Sequence, residues 1–98
     1  MRTYAVYILT NDAGTLYTGY TGDLAGRVLA HKHGRGSVFT RRHVIGRLLY
    51  YEACADENAA KAREKQIKRW LRARKVALIA TMNPEWRDLA EDWYTERR

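Results

Sequence analysis

At 98 residues the chain can bury one compact core and has no room for a second, so a multidomain architecture is excluded and one domain over 1–98 is expected. Hydrophobic residues make up 46%, with three Trp and seven Tyr, which excludes a disordered polyelectrolyte. The net charge of +7 points to a polyanionic partner, because clustered Lys and Arg release counterions condensed on a phosphate backbone.

Tyr4 to Leu9 is aromatic and β-branched enough for a strand, and Thr15 to Tyr20 forms a second beyond the turn residues Asn11-Asp12-Ala13-Gly14. The run Tyr4 to Leu9 is too brief for a signal peptide, and no apolar stretch approaches membrane-spanning length, so no membrane association is expected. If Tyr7 pairs opposite Tyr17, both side chains share a sheet face, which requires an odd-length connection such as Thr10 to Gly14. A helix then runs from Gly22-Asp23 to about His33, with Asp23 as N-cap and Gly34 as stop. Leu24, Arg27, Val28 and His31 fall on one face of it, so two cationic or titratable groups share the inward stripe.

Gly34 to Arg47 reads as a basic loop, and Leu48 to Ala53 as a third strand. The next helix is expected from about Asp56 to Arg74, with Ala60, Glu64, Ile67 and Leu71 on one face. An inward carboxylate at Glu64 needs a metal, an arginine or a hydrogen-bonded cluster, since unpaired burial costs several kcal/mol. Val76 to Thr81 leans helical. Asn83-Pro84-Glu85-Trp86 then carries a helix-start signal, giving a core over about 3–82 and a C-terminal helix over about 84–95. The lone Cys54 excludes an intramolecular disulfide, and a reducing, cytoplasmic setting is expected.

Taken singly, Tyr7 and Tyr17 read as packing residues, Arg27 as a solvated charge and His31 as structural. Their ordered combination reads as a phosphodiesterase kit: two strand tyrosines, then Arg and His one helical turn apart, then an inward Glu on a basic helix. Charge distribution agrees with it. His31 to Arg47 holds five Lys or Arg and no acid, and Lys61 to Lys75 holds eight with Glu64 as the single acid.

On these residues the sequence resembles the GIY-YIG nucleases, in particular the small stand-alone bacterial members. The two name-giving triplets look like Ala5-Val6-Tyr7 and Tyr17-Thr18-Gly19, each keeping its tyrosine and the second its glycine. Gly19-Tyr20-Thr21, Asp23-Leu24, Arg27 and His31 match the rest of the N-terminal block. Tyr51-Glu52, Ala62 to Trp70 and Asn83 to Leu89 match the stand-alone members, so the resemblance covers nearly the whole chain. There are two departures. The first triplet lacks the Gly and Ile, and Tyr20 stands where several members have a lysine.

The resemblance implies an α/β (α+β) fold, a small three-stranded antiparallel sheet flanked by helices, and a metal-dependent endonuclease acting on phosphodiester bonds, DNA ahead of RNA, in a repair or recombination setting. It assigns Glu64 one divalent cation, Mg²⁺ or Mn²⁺, with Arg27 on the phosphate, Tyr17 as water-activating base and Tyr7 positioning the nucleophile. His31, or alternatively Tyr20, accepts or relays the proton. Asn83 either stands near the site or caps a helix. Lys32, Arg35, Arg41, Arg42, Lys68, Arg69 and Arg72 would contact backbone phosphates and position the substrate without reading bases, leaving specificity to the substrate's shape or to a protein partner. Two other classes compete. One is a non-catalytic nucleic-acid-binding module; the other is a structural or protein-interaction domain. The retention of Tyr7, Tyr17, Arg27 and Glu64 together argues against the first.

Overall fold

The computed structural model describes residues 3–34 and 46–94. Among them three strands, β1 (Tyr4–Thr10), β2 (Leu16–Thr21) and β3 (Arg47–Cys54), form an antiparallel sheet in the order β2-β1-β3. Helices α1 (Leu24–Lys32), α2 (Glu57–Lys68) and α3 (Arg72–Ala80) complete the α+β fold. No described helix is long and apolar enough to cross a membrane.

Local chemistry sets the first three elements. The Asn11 side chain accepts from the Ala13 and Thr15 amides, and Gly14 takes the positive φ (83°) that closes the hairpin. Asp23 caps α1 by accepting from the Gly26 amide. At the other end Gly34 (φ 72°) donates its amide to the His31 carbonyl and stops the helix.

Strand alternation gives the sheet two dry faces. Val6 and Ile8 of β1, with Leu49 and Tyr50 of β3, pack under Ala60 and Ile67 of α2 and Ile79 of α3. Tyr7, Leu9 and Leu48 face the other way, under Val28 of α1 and Ala90 of the C-terminal segment. A register shift between Ile8 and Leu9 makes this possible: Ile8 pairs with Tyr50 and Leu9 with Leu48, so Leu49 is the extra residue of a bulge. Leu49 and Tyr50 therefore both serve the first face while Leu48 serves the second.

Two expectations are corrected. The helix from Asp56 to Arg74 is two helices, capped at Asp56 but interrupted at Trp70-Leu71; Leu71, expected on the inward face, is 83% exposed. Trp70 lies with the Arg74 guanidinium 4.3 Å from its ring centroid and that of Arg63 5.3 Å away, so the break is packed rather than loose.

The C-terminal helix over about 84–95 is absent from the described part of that range, 84–94, which is a string of turns with Trp86 at φ 57°. Its polar side chains bind β3 instead of capping a helix. The Asn83 amide nitrogen donates to the Leu49 carbonyl (3.2 Å) and the Arg87 carbonyl (2.7 Å), and its oxygen accepts from the Arg87 amide (3.0 Å). Asp88 accepts from the amides of Leu48 and Ala90, and the Leu89 amide donates to the Leu48 carbonyl. The segment is strapped onto the bulged end of β3.

Candidate active site on the Tyr7 face

β1 pairs with β2 so that Tyr7 stands opposite Gly19 and Tyr17 opposite Leu9. The expected Tyr7 to Tyr17 pairing is thus replaced by a diagonal one, and the shared face survives because the offset is two residues. Gly19 is what makes room. A Cβ there would stand 2.5 Å from the Tyr7 hydroxyl oxygen and 2.6 Å from the ring carbon bearing it, so only glycine lets the ring lie across β2. Its place in the second triplet was visible in the sequence, but the clearance follows only from the register.

The Tyr7 and Tyr17 ring centroids are 6.4 Å apart. Above them the last turn of α1 lowers His31 into the face, 5.9 Å from the Tyr7 ring and 5.4 Å from the Tyr17 ring. His31 Nε2 and the Tyr7 hydroxyl share a hydrogen bond of 3.3 Å. His31 and Tyr7 are both buried, and Tyr17 is half-buried. Tyr7 is therefore covered, and its hydroxyl is turned to His31.

Burial fixes the charge states. It pushes the Tyr7 phenol well above its ordinary value, with Tyr17 and Glu64 adding to the rise and Arg27 opposing it. Burial, helped by the Arg27 charge, lowers His31 to about 4, so at neutral pH the imidazole is uncharged. Arg27 thus bears on both Tyr7 and His31, and Glu64 on Tyr7.

Arg27 sits one turn before His31 but is exposed, at the rim of the face rather than on its inward stripe. Glu64 comes from α2, whose rotation is held by Arg63 donating to Glu52 of β3 at 2.9 Å. Its side chain is about one-fifth exposed and meets Lys68 Nζ at 3.3 Å. Among the described residues no three His, Cys, Asp or Glu gather as a metal cluster. One hard, partly exposed carboxylate fits a divalent ion that keeps most of its water shell, as Mg²⁺ does, and does not fit a four-ligand zinc centre.

Other expected site residues lie elsewhere. Tyr20 pairs opposite Val6, on the sheet face away from Tyr7, and its hydroxyl donates to Glu57 at 3.3 Å, which separates it from the Tyr7–His31 bond. Asn83 is buried and spends its amide on backbone groups of Leu49 and Arg87, so it neither caps a helix nor joins the cluster. Lys32 is ion-paired with Asp88. Although burial pushes the Asp88 carboxyl up, Lys32 and the Leu48 and Ala90 amides outweigh it and hold the group below its ordinary value. Lys32 is thus a tether for α1, and its charge is committed. Arg72 donates to the Gly14 carbonyl and lies over Trp86. Lys68 stands on Glu64, Arg69 is exposed at the end of α2, and Arg35, Arg41 and Arg42 lie outside the described residues. Asp88 escaped sequence reasoning because its neighbours imitate a helix start.

Residues 3–77 match the model of the GIY-YIG catalytic domain. A UPF0213 protein of Lacticaseibacillus paracasei is 36% identical over 86 residues, covering 88% of this chain and 97% of that protein. Another, from Streptococcus pyogenes (strain Manfredo), is 42% identical over 81 residues, covering 82% and 88%. The solution NMR structure of a UPF0213 protein from Bacillus halodurans is similar at a TM-score of 0.56 and 31% identity, over 98% of this chain and 100% of that one.

Proposed function

This chain belongs to the GIY-YIG catalytic-domain family, and we propose that it is a metal-dependent endonuclease that hydrolyses phosphodiester bonds in DNA. The observation that carries this reading is the packing of Tyr7, Tyr17 and an uncharged His31 on one sheet face, with the Arg27 and Glu64 charges bearing on it.

Hydrolysis needs an activated water and neutralisation of charge growing on the phosphoryl oxygens. Arg27, exposed at the rim, grips the scissile phosphate; a planar guanidinium suits a pair of non-bridging oxygens. Tyr7 keeps its proton at neutral pH and positions the His31 ring instead of acting as base. Tyr17 is the more open phenol of the pair. It passes its proton to His31 and takes one from the attacking water, whose oxygen bonds to phosphorus as the bond to the leaving oxygen breaks. The phosphate's negative charge offsets Arg27 and favours the imidazolium that forms. Glu64 would hold a divalent cation, which would supply charge neutralisation for the phosphate and the departing oxygen.

The exposed cations Lys68 and Arg69 contact flanking phosphates, and binding of this kind is weakly dependent on sequence. A preferred DNA shape, or a protein partner, supplies specificity, which suits repair or recombination. Cleavage of a panel of duplex, branched and single-stranded substrates by the protein and its Glu64→Ala variant tests the reading. Cleavage that needs both Mg²⁺ or Mn²⁺ and Glu64 is expected, with the variant at least about 100-fold slower. Products formed without either, or none from any substrate, defeat it.

A further inference from the structure

β2 is an edge strand of the sheet, and beside its C-terminal end lies a cleft of about 540 Å³. Tyr4 and Tyr20 line it together with Asp23, Arg27 and Glu57. It is distinct from the Tyr7 cluster, yet Arg27 belongs to both, bearing on the Tyr7 and His31 charges while lining the cleft. A chain gripped by Arg27 at its phosphate therefore has a neighbouring group within reach of this space.

Its walls select what that group can be. Asp23 and Glu57 are carboxylates, and they disfavour a second phosphate. Tyr4 and Tyr20, diagonal neighbours on one sheet face and each half-buried, present aromatic surface. Glu57 already accepts the Tyr20 hydroxyl and stands 4.0 Å from Lys61 Nζ, and Asp23 accepts the Gly26 amide, but each carboxylate has capacity for further donors. Aromatic surface beside hydrogen-bond acceptors, next to a phosphate-binding arginine, matches one part of a nucleotide.

We propose that this cleft receives an unstacked nucleobase of the strand whose phosphate Arg27 grips, and that it favours adenine, cytosine and guanine over thymine and uracil. The inference rests on the nuclease reading above. The exocyclic amino groups of the favoured bases donate to Glu57 or Asp23, whereas thymine and uracil have only the ring N3–H, flanked by two carbonyl oxygens that the carboxylates repel. Stacking on Tyr20 supplies the part that any base shares. The substrate class that follows is DNA with an unpaired or easily unstacked position beside the cut.

Fluorescence anisotropy in EDTA separates binding from cleavage. The probes are a short oligothymidylate and its versions with one central dA, dC or dG. The protein is expected to bind the substituted strands about fivefold tighter. Glu57→Gln removes that preference, and Tyr20→Leu, which keeps apolar bulk against the core, weakens all of them about tenfold. Tyr20→Phe keeps the ring and binds as the parent does, and matched thermal melts show that each variant is folded. Failure of the parent to bind any strand overturns the cleft, and if duplex and branched substrates also go uncut it overturns the nuclease reading with it. Binding that falls in Arg27→Ala, shows no base preference and is unchanged in Tyr20→Leu and Glu57→Gln overturns the cleft alone. Mononucleotides that compete at the affinity of the strands assign the cleft to a free nucleotide and overturn its assignment to a strand.

Discussion

The two faces of the β1–β2 hairpin each carry a diagonal pair of tyrosines, and their surroundings make them chemically different. Tyr7 and Tyr17 lie under α1, with a neutral histidine against them and a glycine clearing space for one ring. Tyr4 and Tyr20 line an open cleft, and the Tyr20 hydroxyl ends on the Glu57 carboxylate. One residue type in the same diagonal arrangement thus serves as a buried proton-holding cluster on one side and as an aromatic wall of a cleft on the other. What differs is the cover over each face, together with the one glycine of β2 that admits the Tyr7 ring.

The largest break in this contrast comes from filling the gap under Tyr7. Gly19→Val puts side-chain atoms where the Tyr7 hydroxyl lies and is expected to cost about 3 kcal/mol and to abolish cleavage, read by urea denaturation and a nuclease assay.

Acid comes next. His31 has a folded-state value of about 4 against an ordinary 6.5, so between these pH values the unfolded chain binds the extra proton. Stability from this group is complete above about pH 6.5 and is lost as pH falls toward 4, up to about 3 kcal/mol in all. Thermal melts across that window should show a slope that His31→Gln lacks; equal slopes in the two proteins dismiss the neutral-histidine assignment.

A smaller effect on stability separates structure from chemistry. Tyr7→Phe keeps the ring and deletes the bond to His31, so a loss of about 1 kcal/mol is expected, while cleavage falls about tenfold or more. The smallest effect is the same change on the other face. Tyr20→Phe removes an exposed hydroxyl contact and should alter stability by less than about 0.5 kcal/mol in the same melts.

What could be read from the sequence was what local chemistry decides. The Asn11 to Gly14 turn, the Asp23 cap and the Gly34 stop are short-range devices, and the hairpin and α1 follow from them. The break at Trp70-Leu71 has no Gly or Pro to announce it, and it is held by guanidinium groups packing on Trp70. Asn83-Pro84 carries an N-cap signal, yet Asn83 and Asp88 find backbone partners on β3, and those tertiary bonds override the local preference. Within the candidate site, helical spacing brought Arg27 and His31 together, because three- and four-residue steps are fixed by the helix itself. The order of burial was not legible: the offset of two in β2, the covered Tyr7 and the exposed Arg27 depend on how whole elements meet.

The strap through Asp88 also orders events on the ribosome. Tyr7, Tyr17, Arg27, His31 and Glu64 have all been synthesised before Asp88 emerges from the exit tunnel, but until it does Lys32 lacks its counter-ion and the start of β3 lacks the acceptor for its Leu48 amide. A nascent chain thus holds every group proposed for catalysis while the helix that carries two of them is still untethered. Tethering of that helix is deferred until Asp88 is available.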